Sequence, residues 1–258
     1  MEADLAQDLR HALDPVAFAR ERLGFVADPW QEDVLRPRKK WQLLCCTRQA
    51  GKTTTTAVKA LHKGMYSENS LILLFSKAQR QSSELLAKIH GYINTMDRPP
   101  ILTKDAATEL KFSNGSRIVS LPGDGDSIRG YSAPAMIIED EAGFVTDALH
   151  EAFLPMLATT DGELVLMSTP NGKQGHFYEA WHSGDPDWQR ITITADKVSR
   201  ISPEFLNKMR SKYGPWKFQQ EFFCKFVEAD DQFFSDDAIM RAFSRRVPLL
   251  PLNFEITA

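Results

Sequence analysis

Cysteine is scarce, with three residues in 258 (Cys45, Cys46 and Cys224), and two of them are adjacent in an apolar run. So few thiols exclude a disulfide-stapled fold and fit small apolar core positions in a reducing, intracellular setting. No apolar run approaches the roughly 20 residues of a membrane span. The start Met1-Glu2-Ala3-Asp4 is acidic and polar, which is not the character of a secretory signal. An excess of one charge is missing too: 31 lysines and arginines against 34 aspartates and glutamates leave a formal net charge of −3. Any nucleic-acid surface must therefore be local. Internal repeats and low-complexity tracts are also absent.

What is there is an alternation of short apolar runs and helix-like segments. Leu5, Leu9, Leu13, Phe18 and Leu23 recur at near-helical spacing, broken by Asp14-Pro15, and predict a two-helix lead-in. Strands are expected at Leu43–Cys46, Leu71–Phe75, Arg117–Leu121, Ala135–Ile138, Glu163–Met167 and Ile191–Thr194, with a helix over Ala78–Asn94. Such runs, rich in Ile, Leu and Val, predict a parallel sheet covered on both faces. Glu109–Phe112 and Arg117–Ser120 flank Asn114-Gly115 and read as a β-hairpin, expected at the sheet edge. Helices are expected at Pro203–Tyr213 and Trp216–Glu228, the second carrying an aromatic stripe of Phe218, Phe222, Phe223 and Phe226. The resulting expectation is an α/β fold: a P-loop core of RecA/ASCE-like type over 1–196 with its helical lead-in, a small helical lid over 197–244, and a linker over 245–258.

The segment richest in chemistry lacks a glycine. Cys46-Thr47-Arg48-Gln49-Ala50-Gly51-Lys52-Thr53-Thr54 matches the phosphate-binding pattern GxxxxGK[ST] except that Cys46 stands first. It lies between a strand and a helix, where successive backbone N–H groups and a helix N-terminus face an anion. Lys52 would reach the β- and γ-phosphates, and the Thr53 hydroxyl would hold Mg²⁺. A second strand ends in Glu139-Asp140-Glu141. Beside a phosphate loop, one carboxylate holds hydrated Mg²⁺ and the next orients water; Asp140 is assigned to the metal and Glu141 to the water. Period-two alternation sends Glu139 to the other side of the strand, as a solvated or structural charge.

Three further pieces fit the same chemistry. Gln31, in Pro29-Trp30-Gln31, offers an amide that donates and accepts at once, suited to an adenine edge or to an ordinary polar turn. Ser168 and Thr169 follow a strand at the carboxyl edge of the sheet, either as γ-phosphate sensors or as a helix N-cap. Arg129, in a glycine-rich loop, and Arg48, inside the phosphate loop, are the two candidates for a cation on the γ-phosphate; either could instead be a loop salt bridge.

These residues together resemble the ATPase domain of the large terminase subunit, the genome-packaging motor of tailed bacteriophages. The family's variant phosphate loop commonly omits the first glycine and keeps an internal arginine, as Cys46 and Arg48 do here. Gln31, Ile128-Arg129-Gly130, Ile137-Ile138-Glu139-Asp140-Glu141-Ala142 and Ser168-Thr169-Pro170 stand in the family's order, followed by Phe177-Tyr178-Glu179 and Gln220-Glu221-Phe222. The resemblance covers about residues 25–235. It implies an ATPase in which Gln31, Thr47, Arg48, Gln49, Ala50, Gly51, Lys52, Thr53 and Thr54 bind ATP and Asp140 holds Mg²⁺ with Thr53. It further implies that Glu141 activates water, that Ser168 and Thr169 couple hydrolysis to movement, and that Arg129 acts in trans in a homo-oligomeric ring. The implied partners are double-stranded DNA, the portal protein and the small terminase subunit, in the host cytoplasm. The family's RNase H-like nuclease is not expected within these 258 residues.

Two other readings stay in view. A helicase would share Gln31 and Asp140-Glu141 but needs a second RecA-like domain, for which the length leaves no room. A nucleotide-gated ring-assembly module with negligible turnover would not need Glu141. Lys104, Lys111 and Arg117, in or near the hairpin, are candidates for DNA phosphate contacts, with a solvated hairpin face as the simpler reading.

Overall fold

A computed structural model describes residues 2–122, 128 and 130–227. Helices α1 (Glu2–Leu13), α2 (Pro15–Leu23) and α3 (Pro29–Leu35) lead in. Asp14 separates the first two: its carboxylate accepts from Val16 N at 3.0 Å, Pro15 opens α2, and Gly24 closes it at φ 63°. The chain then runs through β1 (Trp41–Cys46), α4 (Lys52–Tyr66), β2 (Leu71–Ser76), α5 (Gln79–Thr95), β3 (Leu102–Ala106), β4 (Glu109–Phe112), β5 (Arg117–Leu121) and β6 (Met136–Asp140). A 3₁₀ turn (Ala142–Phe144), α6 (Asp147–Phe153), a second 3₁₀ turn (Leu154–Leu157), β7 (Glu163–Ser168), α7 (Gly175–His182), β8 (Trp188–Ile193), a third 3₁₀ turn (Ala195–Lys197), α8 (Pro203–Lys212) and α9 (Pro215–Phe223) complete the described elements. No helix among the described residues is long and apolar enough to cross a membrane.

The strands form one eight-stranded sheet in the order β3-β4-β5-β2-β6-β7-β1-β8. From β5 to β8 every neighbouring pair is parallel; β3 and β4 add an antiparallel flank. The hairpin of β4 and β5 forms as expected, but β3 covers it, so it is not the edge. Leu102–Ala106 alternates poorly, with three exposed residues in five, which is why its sequence carries no strand signal. Gly115 turns the hairpin at φ 85°, where a Cβ would collide with Asn69 Oδ1, so glycine is strongly favoured there. Lys104 and Arg117 both pair with Glu109, which supports the solvated-face reading of those two cations.

Period-two alternation divides the core. Leu44, Cys46, Ile72, Leu74 and Ile138 pack under α4 and α5, while Leu43, Cys45, Leu73, Phe75 and Ile137 pack under α6 and α7. All three cysteines are buried free thiols. At the chain's far end one expectation fails: α9 stops at Phe223 and not at Glu228, because Cys224 turns into the left-handed region at φ 55°. Phe226 therefore leaves the stripe and packs among Phe177, Tyr178 and Trp181 instead. The expected linker over 245–258 lies outside the described residues.

One buried ion network braces α4 against the sheet. Lys59 Nζ and Lys63 Nζ each lie 2.9 Å from a Glu163 carboxylate oxygen. Burial pulls the Lys59 pKa down despite that partner; burial pushes Glu163 up, but the two lysines outweigh it and hold the carboxylate below its usual value. Removing one side of a buried pair leaves an uncompensated charge, so Glu163→Gln should cost about 3 kcal/mol of unfolding free energy in urea titrations. Adding Lys59→Met should restore more than half of that loss; a single variant as stable as wild type would refute the network's role.

Candidate active site

The phosphate loop is shaped by backbone conformations that few residues adopt. Gln49 sits at φ 63° and Gly51 at φ 100°, and α4 begins at Lys52. Loop N–H groups and the α4 N-terminus thus face one concavity. Cys46, where a glycine would stand, is the last residue of β1 and is fully buried, so the loop turns only after it. Thr55 and Thr56 bond back to Gly51 O and Lys52 O at 3.0 and 3.1 Å, which lets a run of threonines open a helix.

Across the crevice, β6 delivers the acidic residues. Glu141 leaves the strand at φ 55°, a left-handed conformation uncommon for a non-glycine residue and suited to re-aiming a side chain at a functional edge. Its Oε1 lies 3.3 Å from Lys52 Nζ. Burial lowers the Lys52 pKa, but Glu141 and Asp140 together outweigh it and hold the ammonium above its ordinary value. Burial pushes Asp140 up to about 6; Lys52 opposes that rise and Glu141 adds to it. A cleft of about 580 Å³ opens over this pair, lined by Arg48, Gln49, Gly51, Lys52, Thr53 and Thr54, with Glu141, Phe144, Lys77, Gln81 and Lys88 on the other walls. Oxygen donors from Thr53, Asp140 and Glu141 beside a compensating ammonium fit a hard cation such as Mg²⁺.

Several expected residues serve the loop from behind. Thr47 is buried and its hydroxyl donates to Glu221 O at 2.9 Å. Ala50 is buried, with its carbonyl accepting from Arg200 Nη2 at 2.8 Å. Gln31 Oε1 accepts from Asp28 N at 2.8 Å and caps α3, so its acceptor is committed and its Nε2 is what faces Gly51. Arg48 Nε donates to Glu221 Oε2 at 2.5 Å, a salt bridge from the loop to α9. Arg129 lies outside the described residues.

Ser168 and Thr169 are buried and do not cap a helix: α7 begins only at Gly175. Ser168 Oγ donates to Thr169 O at 2.6 Å and accepts from Gly143 N at 3.1 Å, and Asn171 Nδ2 donates to Gly143 O at 2.9 Å. The strand end is thereby stitched to the turn that follows Glu141. Glu139, expected as a solvated or structural charge, is structural; it is fully buried between His150 and His176. Arg200, Lys77 and Lys88 were not singled out in the sequence, since each lies in no local pattern; Glu221 entered only through the Gln220-Glu221-Phe222 segment, with no role at the site.

Residues 44–241 match the family described as terminase large subunit, T4likevirus-type, N-terminal. The chain belongs to this terminase family. The large terminase subunit of Thermus virus P23-45 is 23% identical over 275 residues, covering 88% of this chain and 54% of that one. The structure of the Thermus phage P74-26 large terminase ATPase domain superposes with a TM-score of 0.72 at 20% identity, over 81% of this chain and 97% of that domain. A large terminase from a thermophilic bacteriophage, in complex with ADP, gives 0.66 at 14% identity, over 78% of this chain and 54% of that one. The terminase chain described here spans about half the length of the curated relatives it matches. Its mostly parallel α/β sheet is the fold of terminase ATPase domains.

The buried acid gives a pH signature. Because folding raises the Asp140 pKa from 3.8 to about 6, its contribution to stability is fully present below pH 4 and lost as pH rises through about 6. Asp140→Asn, permanently neutral, should therefore be more stable than wild type by roughly 3 kcal/mol at pH 8 without nucleotide or Mg²⁺. The gain should vanish near pH 4, as followed by circular dichroism; equal gains at both pH values would contradict the assignment.

Proposed function

We propose that this chain binds and hydrolyses MgATP and that hydrolysis drives double-stranded DNA into a viral procapsid. The observation that carries the reading is the meeting of Lys52 and Glu141, 89 residues apart in sequence, at 3.3 Å over the phosphate loop. Loop N–H groups and Lys52 would hold the β- and γ-phosphates, and the positive φ at Gly51 lets the backbone approach them closely. Thr53 and Asp140 would hold Mg²⁺, which when bound neutralises charge on the phosphates. Glu141 would orient the attacking water and accept its proton, released from Lys52 once the ammonium turns to phosphate. Gln31 Nε2 stands beside the loop with a donor for the base or ribose side of the nucleotide.

The remaining roles follow the same geometry. Ser168 and Asn171 grip the turn after Glu141, so a shift of that turn on loss of the γ-phosphate would pull on β7 and on Thr169 beside it. Arg48, held by Glu221, and Arg129 are the two candidates for the cation on the γ-phosphate, one from within and one offered to a neighbour in a ring. The portal protein and the small terminase subunit are the expected partners, at the procapsid in the host cytoplasm.

Lys52→Ala should lower steady-state ATP hydrolysis at least about 100-fold by removing phosphate charge compensation, with nucleotide affinity reduced. Glu141→Gln should lower turnover similarly while ATP binding survives; undiminished hydrolysis in both purified variants would sink the proposal. If a neighbour supplies the arginine, specific activity should climb with protein concentration, and Arg129→Ala should flatten that climb.

A further inference from the structure

On the face of β6 opposite the nucleotide cleft, three buried ligand-type side chains converge: Glu139 from the strand, His150 from α6 and His176 from α7. Glu139 Oε2 lies 3.1 Å from His150 Nδ1, and Glu139 Oε1 lies 3.2 Å from His176 Nε2. The two imidazoles stack at 4.0 Å between centroids with planes 14° apart.

The state of His176 is the telling point. Its Nδ1 lies 3.1 Å from Asp147 Oδ1, an acceptor-only carboxylate, so the neutral ring carries its proton on Nδ1 and a lone pair on Nε2. That lone pair then faces a carboxylate oxygen at 3.2 Å, and neither Nε2 nor Oε1 has a hydrogen-bond partner despite complete burial. Two buried lone pairs so close require a cation between them. Burial lowers the His176 pKa, but Glu139 and Asp147 outweigh it and raise it above its ordinary value, so a proton on Nε2 is a metal's competitor for that place; the Glu139–Nε2 pair is nonetheless poorly aligned for a hydrogen bond. A metal ion asks for the other geometry, lone pairs converging on a common point.

We propose that Glu139, His150 and His176 bind a divalent transition-metal ion of the zinc class. Two imidazoles and one carboxylate are a borderline-soft donor set, unlike the all-oxygen donors of the nucleotide cleft. Tetrahedral coordination at about 2.0–2.2 Å puts ligand atoms roughly 3.3–3.6 Å apart, and the candidate atoms here all lie within 4.8 Å of one another. Asp147 completes the arrangement from behind, orienting His176 as carboxylates orient metal-bound imidazoles. It also accepts from His176 N at 2.8 Å, a contact that depends on Gly175 at φ 79°. Its side chain is 57% exposed, so it can be replaced without opening a cavity in the core. The ion ties α6 and α7 to β6 one residue before Asp140, and so steadies the strand end that presents Asp140 and Glu141.

The test uses the 258-residue chain, stripped with a chelator and equilibrated with Zn²⁺ or Co²⁺. Mass spectrometry of the metal should find about one zinc per chain, and thermal unfolding should rise by several degrees on loading. Cobalt should give visible bands of a nitrogen and oxygen site without thiolate charge transfer. These bands should survive Asp140→Asn, which separates this ion from one in the cleft. His176→Asn and Glu139→Gln should lose the metal, and Asp147→Asn, at an exposed position, should weaken it about 10-fold with the fold intact by circular dichroism. Less than about 0.1 zinc per folded wild-type chain at micromolar free zinc would overturn the proposal. So would unchanged binding in folded Asp147→Asn and His176→Asn, or nitrogen chemical shifts showing His176 protonated at both ring positions in zinc-equilibrated protein.

Discussion

The ammonium of Lys52, buried against Asp140 and Glu141, is the interaction on which the site's architecture depends. A lone buried cation and the buried Asp140 carboxylate would each be costly, and bringing them together beside the half-buried Glu141 offsets much of that cost. The arrangement remains unbalanced, since Asp140 keeps a raised pKa even with Lys52 close by. A site holding more negative charge than one lysine neutralises is suited to accept a divalent cation, and one whose cation is already charged is suited to accept phosphate. The β1–α4 loop and the end of β6 are therefore electrostatically joined before any ligand arrives.

Around that pair, the sheet works as a two-sided frame. β6 sends Asp140 toward α4 and Glu139 toward α6 and α7, so a single strand end anchors the cleft on one face and a histidine pair on the other. The carboxyl edge is closed by contacts between distant segments. Thr47 and Arg48 reach Glu221 on α9, Ala50 is held by Arg200, and Gly143 is gripped by Ser168 and Asn171. The phosphate loop is thus in direct contact with α9, and the Glu141 turn with the end of β7.

Much of this was legible from residue order. Apolar runs located β1, β2, β5, β6 and β7 to within a few residues, because strands buried on both faces are written as runs of apolar residues, and the alternating Ile191 and Ile193 located the end of the edge strand β8. Asp14-Pro15 and Asn114-Gly115 marked a helix boundary and a hairpin through local backbone preferences that tertiary contacts did not override. β3 escaped because an exposed edge strand needs no apolar pattern. The end of α9 escaped because burial of Cys224 and packing of Phe226 decided it, and neither is a local property.

The sequence by itself determined the fold class, the phosphate loop and the Asp140-Glu141 pair, since each is encoded by neighbours within a few residues. Only the tertiary structure decided which side chains face the cleft and which support it. Gln31 proved to cap α3, Thr47 and Ala50 turned inward, and Glu139 was enclosed by histidines from two later helices. Those outcomes depend on distances between residues far apart in the chain, set by how the sheet closes over its two cores, and no local pattern records them.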